Sequence, residues 1–311
     1  MEEQKTKIPF YVQRKFGDKM NASFDFLKEN WKPILKYSTY LILPLCLIQG
    51  LSLNSFLGSY LGAVTAGAFN PNDITTLGSL FGVSYGVTIL LYMIGSVVMT
   101  ALIYSFIMLY NQRENGLKDI TFAEIKPVLL NNIGRIFVLG IVGGILFSIV
   151  MTIIVLIAIA VPLTLILLIP GIFICAIPLM LWSPIYIYEK TGIFESLGKS
   201  FRLGFATWGG IFGIMFIMGI IASILQSVTM MPWYIGSIVK YTFMFSEEGA
   251  AGDTSVIYNF MLYLMAIVQG FGAYLSMIFS LLGLSYQYSH ANELVNNTSV
   301  ESEIDNFEQL S

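Results

Sequence analysis

Apolar positions in this chain neither alternate nor recur as narrow stripes over most of its length; they run on without interruption. Six stretches free of charge follow one another, Tyr37 to Leu57, Ser84 to Tyr110, Ile136 to Ala160, Leu163 to Tyr188, Ile211 to Met231 and Ser255 to Tyr288. A bilayer core about 30 Å thick takes roughly 20 apolar residues per helix, so the pattern predicts six transmembrane helices. Between Arg135 and Glu189 lie 53 residues without a charge, too many for one crossing. Pro162 predicts the turn that divides them, because it has no N–H with which to continue a helix. The sixth stretch exceeds one crossing and predicts tilt or extension beyond the bilayer.

Composition supports the same class. Of the 311 residues 56% are hydrophobic and only 11% charged, against roughly 25% charged in soluble domains. The net charge of -3 offers no basic surplus for nucleic acid, and none is expected as a partner. Where the charges lie says more than their sum. Of 16 Lys and Arg residues, eight fall in the first 36 residues, four between Asn111 and Arg135, and three between Glu189 and Gly210; only Lys240 lies elsewhere. Six spans put those three segments on one side, which the positive-inside rule makes cytoplasmic, together with both termini. The segments holding Asp73 and holding Lys240, Glu247, Glu248 and Asp253 then face outward.

The expected organisation is a cytoplasmic arm with an amphipathic helix (1–36), a six-helix transmembrane domain (37–288) and an acidic, disordered cytoplasmic tail (289–311). That tail has no Lys or Arg and carries Glu293, Glu301, Glu303, Asp305 and Glu308. The polar arm predicts no cleavable signal peptide. The sequons that begin at Asn296 and Asn297 are read as chance matches on a cytoplasmic segment.

One charged segment interrupts the apolar runs with a helical period. Phe194, Leu197, Phe201, Phe205 and Trp208 recur at steps of three and four, while Glu195, Lys199 and Arg202 share another face. This predicts an amphipathic helix in the cytoplasmic interface, with aromatic rings in the headgroup boundary and Lys199 and Arg202 in water. Glu195 precedes Lys199 by four, the favourable order for an ion pair. Similar wording opens each odd span: Asn30-Trp31-Lys32-Pro33-Ile34-Leu35, Asn132-Ile133-Gly134-Arg135-Ile136-Phe137 and Thr207-Trp208-Gly209-Gly210-Ile211-Phe212. Thr121 and Glu124 have capping-box spacing upstream of the second. Tyrosines close the even spans, at 104 and 110, 186 and 188, and 286 and 288, as an aromatic belt at the inner interface would. The chain therefore reads as all-α, three tandem units, each an interfacial amphipathic helix followed by a transmembrane hairpin. Gly82-x-x-x-Gly86, Gly140-x-x-x-Gly144 and Gly209-x-x-x-Gly213 have the small-residue spacing of helix contacts.

The run Glu195-Ser196-Leu197-x-x-Ser200-x-x-Leu203, followed by Trp208, Ile211 and Gly213, resembles bacterial multi-pass proteins related to the membrane domain of glycerophosphoryl diester phosphodiesterases. In phosphodiesterases of that kind the membrane region accompanies a soluble catalytic barrel rich in His and acidic metal ligands. The present sequence has no such barrel, so the resemblance implies a membrane module without the phosphodiesterase activity.

Catalytic chemistry finds little to work with. His290 is the single histidine, so a His-ligated metal centre is not expected, nor any cofactor. A Ser–His pair would need His290 opposite a buried serine, and the bland reading is an interfacial residue. Cys46 and Cys175 lie in apolar runs and read as small hydrophobes. No Asp, Glu, Lys, Arg or His lies within the six spans, which weighs against ion-coupled transport. Gln49, Gln226, Asn259 and Gln269 are the intramembrane polar groups that could line a path or bond between helices. Pro170, Gly171 and Pro178 predict a kink in the fourth span. The expectation is a non-enzymatic integral protein of the bacterial cytoplasmic membrane that organises membrane lipid, protein partners or copies of itself. The alternative is a channel or transporter for uncoupled, neutral or amphipathic substrates.

Overall fold

A computed structural model describes residues 7–65, 82–245 and 255–297 of the chain. Asp73, Glu247, Glu248 and Asp253 of the segments expected outside, and Glu301, Glu303, Asp305 and Glu308 of the acidic tail, lie outside the described residues. Among the described residues every regular element is a helix: α1 (Phe16–Thr65), α2 (Val83–Gln112), α3 (Phe122–Ala160), a 3₁₀ turn (Pro162–Thr164), α4 (Leu165–Leu179), α5 (Trp182–Tyr188), α6 (Ile193–Ala206), α7 (Trp208–Phe245) and α8 (Val256–Asn296). Six segments are long and apolar enough to cross a membrane: Phe16–Gly58, Tyr85–Gln112, Phe122–Ala160, Pro162–Tyr188, Trp208–Lys240 and Val256–Asn296. This is the make-up of a multi-pass membrane protein.

Local chemistry explains where the helices begin, bend and stop. α3 starts where the Glu124 carboxylate accepts the Thr121 N–H at 2.9 Å, satisfying a donor that has no helical partner. It ends at Ala160, and Pro162 opens the 3₁₀ turn at a position where its missing N–H costs nothing. The fourth crossing is broken. After Pro178 the chain tightens, with the Met180 N–H bonded to Ile177 O at 3.2 Å and the Leu181 N–H to Pro178 O at 3.1 Å, before α5 resumes at Trp182. At Gly116 the backbone turns with φ at +57°, and a Cβ there would lie 2.8 Å from the Tyr110 ring, so both the conformation and the space require glycine.

The residues form two compact units, and α1, α2, α7 and α8 contribute to both. The first unit comprises 1–34, 100–219 and 279–311. Its core includes Phe26, Leu102, Ile103, Phe106, Ile107 and Tyr286, all essentially inaccessible. Its α3 and α4 turn Phe147, Leu156, Ile159 and Leu167 outward, between 62% and 79% exposed. In a membrane that surface meets acyl chains, which are as apolar as leucine. The second unit comprises 35–99 and 220–278. Ile42, Cys46, Met99 and Tyr274 are buried there. Trp233, Leu262 and Ala266 form a cluster with Leu53, Leu57 and Met265 packed against it. The Trp233 indole N–H donates to Asn54 Oδ1 at 2.8 Å, which gives a buried indole the partner it needs.

Candidate functional site

The aligned polar residues and isoleucines of the three repeated signatures fall in the first unit, and all are buried. The aligned polar residues Asn30, Asn132 and Thr207 are 3%, 1% and 8% exposed, and the aligned isoleucines Ile34, Ile136 and Ile211 are buried as well. Asn30 (φ -114°, ψ 18°) breaks α1 into two helical segments, and Thr207 (φ -127°, ψ 26°) separates α6 from α7. Each folds its side chain back on the preceding turn: Asn30 Nδ2 donates to Phe26 O and Thr207 Oγ1 to Leu203 O, both at 2.9 Å. Asn132 differs, because its Nδ2 donates to Ser105 Oγ of α2 at 2.9 Å and α3 continues unbroken.

Of the six tyrosines expected to close the even spans, five are buried and Tyr188 is half-buried. Tyr104, Tyr110, Tyr286 and Tyr288 are at most 1% exposed, where a belt at the lipid interface would have left them at the surface. The hydroxyls of Tyr104, Tyr188 and Tyr288 are spent on specific partners. Tyr104 shares a hydrogen bond with Ser183 at 2.9 Å and Tyr188 with Ser285 at 2.8 Å; Tyr288 donates to Glu189 Oε1 at 2.8 Å. Tyr188 and Tyr288 stack with centroids 5.5 Å apart.

Over this cluster runs the segment 7–15, an irregular strap that its lack of periodicity hid from a sequence reading. Phe10 sits edge-on to Tyr188 and Tyr286 at 5.2 and 5.8 Å. The Ser289 hydroxyl donates to Phe10 O, and the Arg14 N–H to His290 Nδ1 at 3.0 Å. The Arg14 guanidinium lies 5.3 Å from the Tyr286 ring. Burial lowers the pKa of Arg14 and raises that of the Tyr11 phenol, since each charged form loses its water. Below the strap Lys19 Nζ donates to Gln287 Oε1 at 2.8 Å, while Gln287 Nε2 is buried with no partner among the described residues.

α6 presents two faces. Ser196, Ser200, Leu203 and Gly204 are buried, whereas Phe194 is 69% and Phe205 51% exposed. Leu197, Phe201 and Trp208 are half-buried, and Phe201 stacks on Phe205 at 5.9 Å. Small residues at four-residue steps thus form the packing face, a spacing legible in the sequence as Ser196-x-x-x-Ser200-x-x-x-Gly204. At Gly204 the fit is tightest, for a Cβ there would fall 2.5 Å from Pro178 Cα in α4. Lys199 does not pair with Glu195. Its Nζ lies 2.6 Å from Glu189 Oε2, both side chains partly buried, while Glu195 Oε2 accepts the Gly192 N–H at 3.5 Å at the helix start. Arg202 Nη2 donates to Asn296 Oδ1 at 2.7 Å. Beside these groups opens a polar cleft of about 620 Å³, walled by Tyr11, Tyr188, Glu189, Thr191, Lys199 and Arg202 and by the end of α8.

The polar residues expected within the spans belong to the second unit and do not form one row. Gln49 is buried and its Oε1 accepts the Tyr274 hydroxyl at 3.1 Å. Asn259 Oδ1 accepts Lys240 Nζ at 2.8 Å at an exposed position; Gln226 is exposed and Gln269 half-buried. Cys46 is buried and Cys175 exposed, both as free thiols. Compared with protein-family models, with curated proteins and with solved structures, the chain matches none.

Proposed function

We propose that this chain is a non-enzymatic integral protein of a bacterial cytoplasmic membrane that organises lipid or protein partners at the inner leaflet. In this reading it is built from three tandem units, an interfacial helix leading into each transmembrane hairpin, with both termini cytoplasmic. The likeness of 195–213 to the membrane domain that accompanies certain phosphodiesterases fits a membrane module of this sort. The observation that carries the reading is the division of α6: small residues turn to the protein, Phe194 and Phe205 stay exposed, and Arg202 stands at the rim of a polar cleft. Such a helix offers apolar contact to acyl chains and cationic contact to headgroups at one level.

A channel or transporter is the second reading. Against it, Gln49 is committed to Tyr274 in a helix contact and Asn259 to Lys240, which leaves few groups to replace a solute's hydration. Native mass spectrometry of protein extracted in mild detergent tests the leading reading. Retained lipid, partner protein or a second copy supports it. A bare monomer that conducts a neutral solute in liposomes replaces it with the alternative.

A further inference from the structure

We propose that the cleft between α6 and the end of α8 is a binding site for a phosphate group, with Arg202 as its principal donor. The inference rests on the membrane-organising reading and names the chemistry that one of its sites recognises. Arg202 is exposed, and one donor of its guanidinium goes to Asn296 Oδ1. Asn296 Nδ2 in turn donates to Asn292 Oδ1 at 2.5 Å. The two asparagines on successive turns of α8 therefore hold the guanidinium in place while most of its five N–H donors remain for a ligand. A planar fork held in this way suits the paired oxygens of a phosphate.

The other walls agree. Among the described residues that line the cleft, the carboxylate is Glu189, and it is already engaged by Lys199 Nζ and the Tyr288 hydroxyl, so it does not compete for Arg202. Thr191 Oγ1 is buried in the wall with no partner among the described residues, a donor not yet used. Arg135 holds the backbone of that residue through Nη2 to Thr191 O at 3.1 Å, and Lys190 is exposed next to it. Among the described lining residues the charged side chains are Lys199 and Arg202 against Glu189. A cleft of about 620 Å³ has room for a phosphodiester with a small polar substituent, within the usual size of ligand sites. Tyr11 and Tyr188 supply flat apolar walls for the carbon atoms next to the phosphate.

The group can arrive on a lipid or free in water, and the test separates the two. The full chain is placed in phosphatidylcholine nanodiscs containing a trace of photoactivatable phosphatidylglycerol, and the crosslinked peptides are mapped. In parallel, retention of radiolabelled inorganic phosphate is measured in detergent. Wild type should crosslink in 189–202 and 292–296, and Arg202→Gln should lower that yield roughly tenfold, the scale of one charge-assisted hydrogen bond lost. Arg202→Lys should lose less, and Thr191→Val and Asn296→Asp should each weaken the signal. These last two guard against a folding defect in any single variant, and each variant's unfolding transition is compared with wild type. Retention of inorganic phosphate that depends on Arg202, without lipid crosslinks, assigns the site to a soluble phosphate. Neither signal, or signals that no variant alters, overturns the proposal. Crosslinks confined to α3 and α4 also overturn it while leaving the membrane-organising reading standing; absence of any retained lipid, partner or second copy is what removes that reading.

Discussion

The indole N–H of Trp208 donates to the carbonyl of Ile174 at 3.1 Å. That carbonyl lies four residues before Pro178, whose ring nitrogen carries no hydrogen and so leaves it without the usual helical donor. An aromatic residue at the start of α7 thus repairs a backbone defect in α4, and an unpaired carbonyl is costly where no water can reach it. Trp208→Phe should destabilise the protein by about 1 kcal/mol, the scale of one hydrogen bond between membrane helices. In a Pro178→Ala background the carbonyl regains its own donor, and the same change should cost much less. A double-mutant cycle on thermal unfolding in detergent measures the coupling; equal costs in both backgrounds would show that the indole acts only by packing.

Two glycines on different helices, Gly204 of α6 and Gly134 of α3, should respond in opposite directions. Gly204→Ala places a methyl group 2.5 Å from Pro178 Cα, a backbone atom that cannot swing aside, and should cost about 1–3 kcal/mol as an overpacked contact. Gly134 lies inside α3, and a Cβ added there would meet nothing within 4 Å. Gly134→Ala should therefore stabilise by about 0.5–1 kcal/mol through helix propensity alone. Unfolding midpoints of the two variants that move the same way would contradict the packing described.

Phe10 is 8% exposed and wedged among Tyr188, Tyr286 and Tyr288. Removing its ring should cost about 3 kcal/mol or more, as for other buried aromatic residues. Limited proteolysis provides the local readout. Phe10→Ala should expose the segment around Arg14 and Lys15 to trypsin well before the rest of the chain is cut, and unchanged cleavage there would mean that the strap is held by its hydrogen bonds alone.

Nitroxide scanning of α6 tests which side meets lipid. Labels at 194 and 205 should report acyl-chain contact, labels at 195 and 202 should report water, and a label at 200 should be immobilised against protein. A label at 199 should release Glu189 from its 2.6 Å ion pair and report an intermediate environment. Uniform accessibility across all these positions would remove the division of faces on which the inner-leaflet placement rests.

The crossing helices were legible because a bilayer sets a length and tolerates few charges, so uncharged runs and Pro162 suffice to count them. The aligned Asn30, Asn132 and Thr207 were legible as a recurrence, but not the break at only two of them, which depends on whether the side chain bonds its own helix or, as at Asn132, Ser105 on another. Orientation of faces was harder. In water the apolar stripe of a helix must turn inward, whereas lipid accepts it, so periodicity alone does not say whether Phe205 or Ser200 meets the protein. The inward tyrosines escaped the belt reading for the same reason: a phenol suits an interface, and it equally suits an interior that offers Ser183, Ser285 or Glu189 as partner.

Lys19 and Gln287 are 268 positions apart and bond within the first unit. A ribosome adds about 5–20 residues per second, so Gln287 is made on the order of ten seconds to a minute after Lys19. The same delay separates Phe10 from Tyr286, Tyr288 and Ser289. Throughout it the early helices stand in the bilayer with the strap undocked and the Lys19 ammonium still hydrated, and only the arrival of α8 gives both a place to go. The last of the described helices in chain order is therefore the one that closes the first unit, and a chain halted before it leaves the strap without its partners.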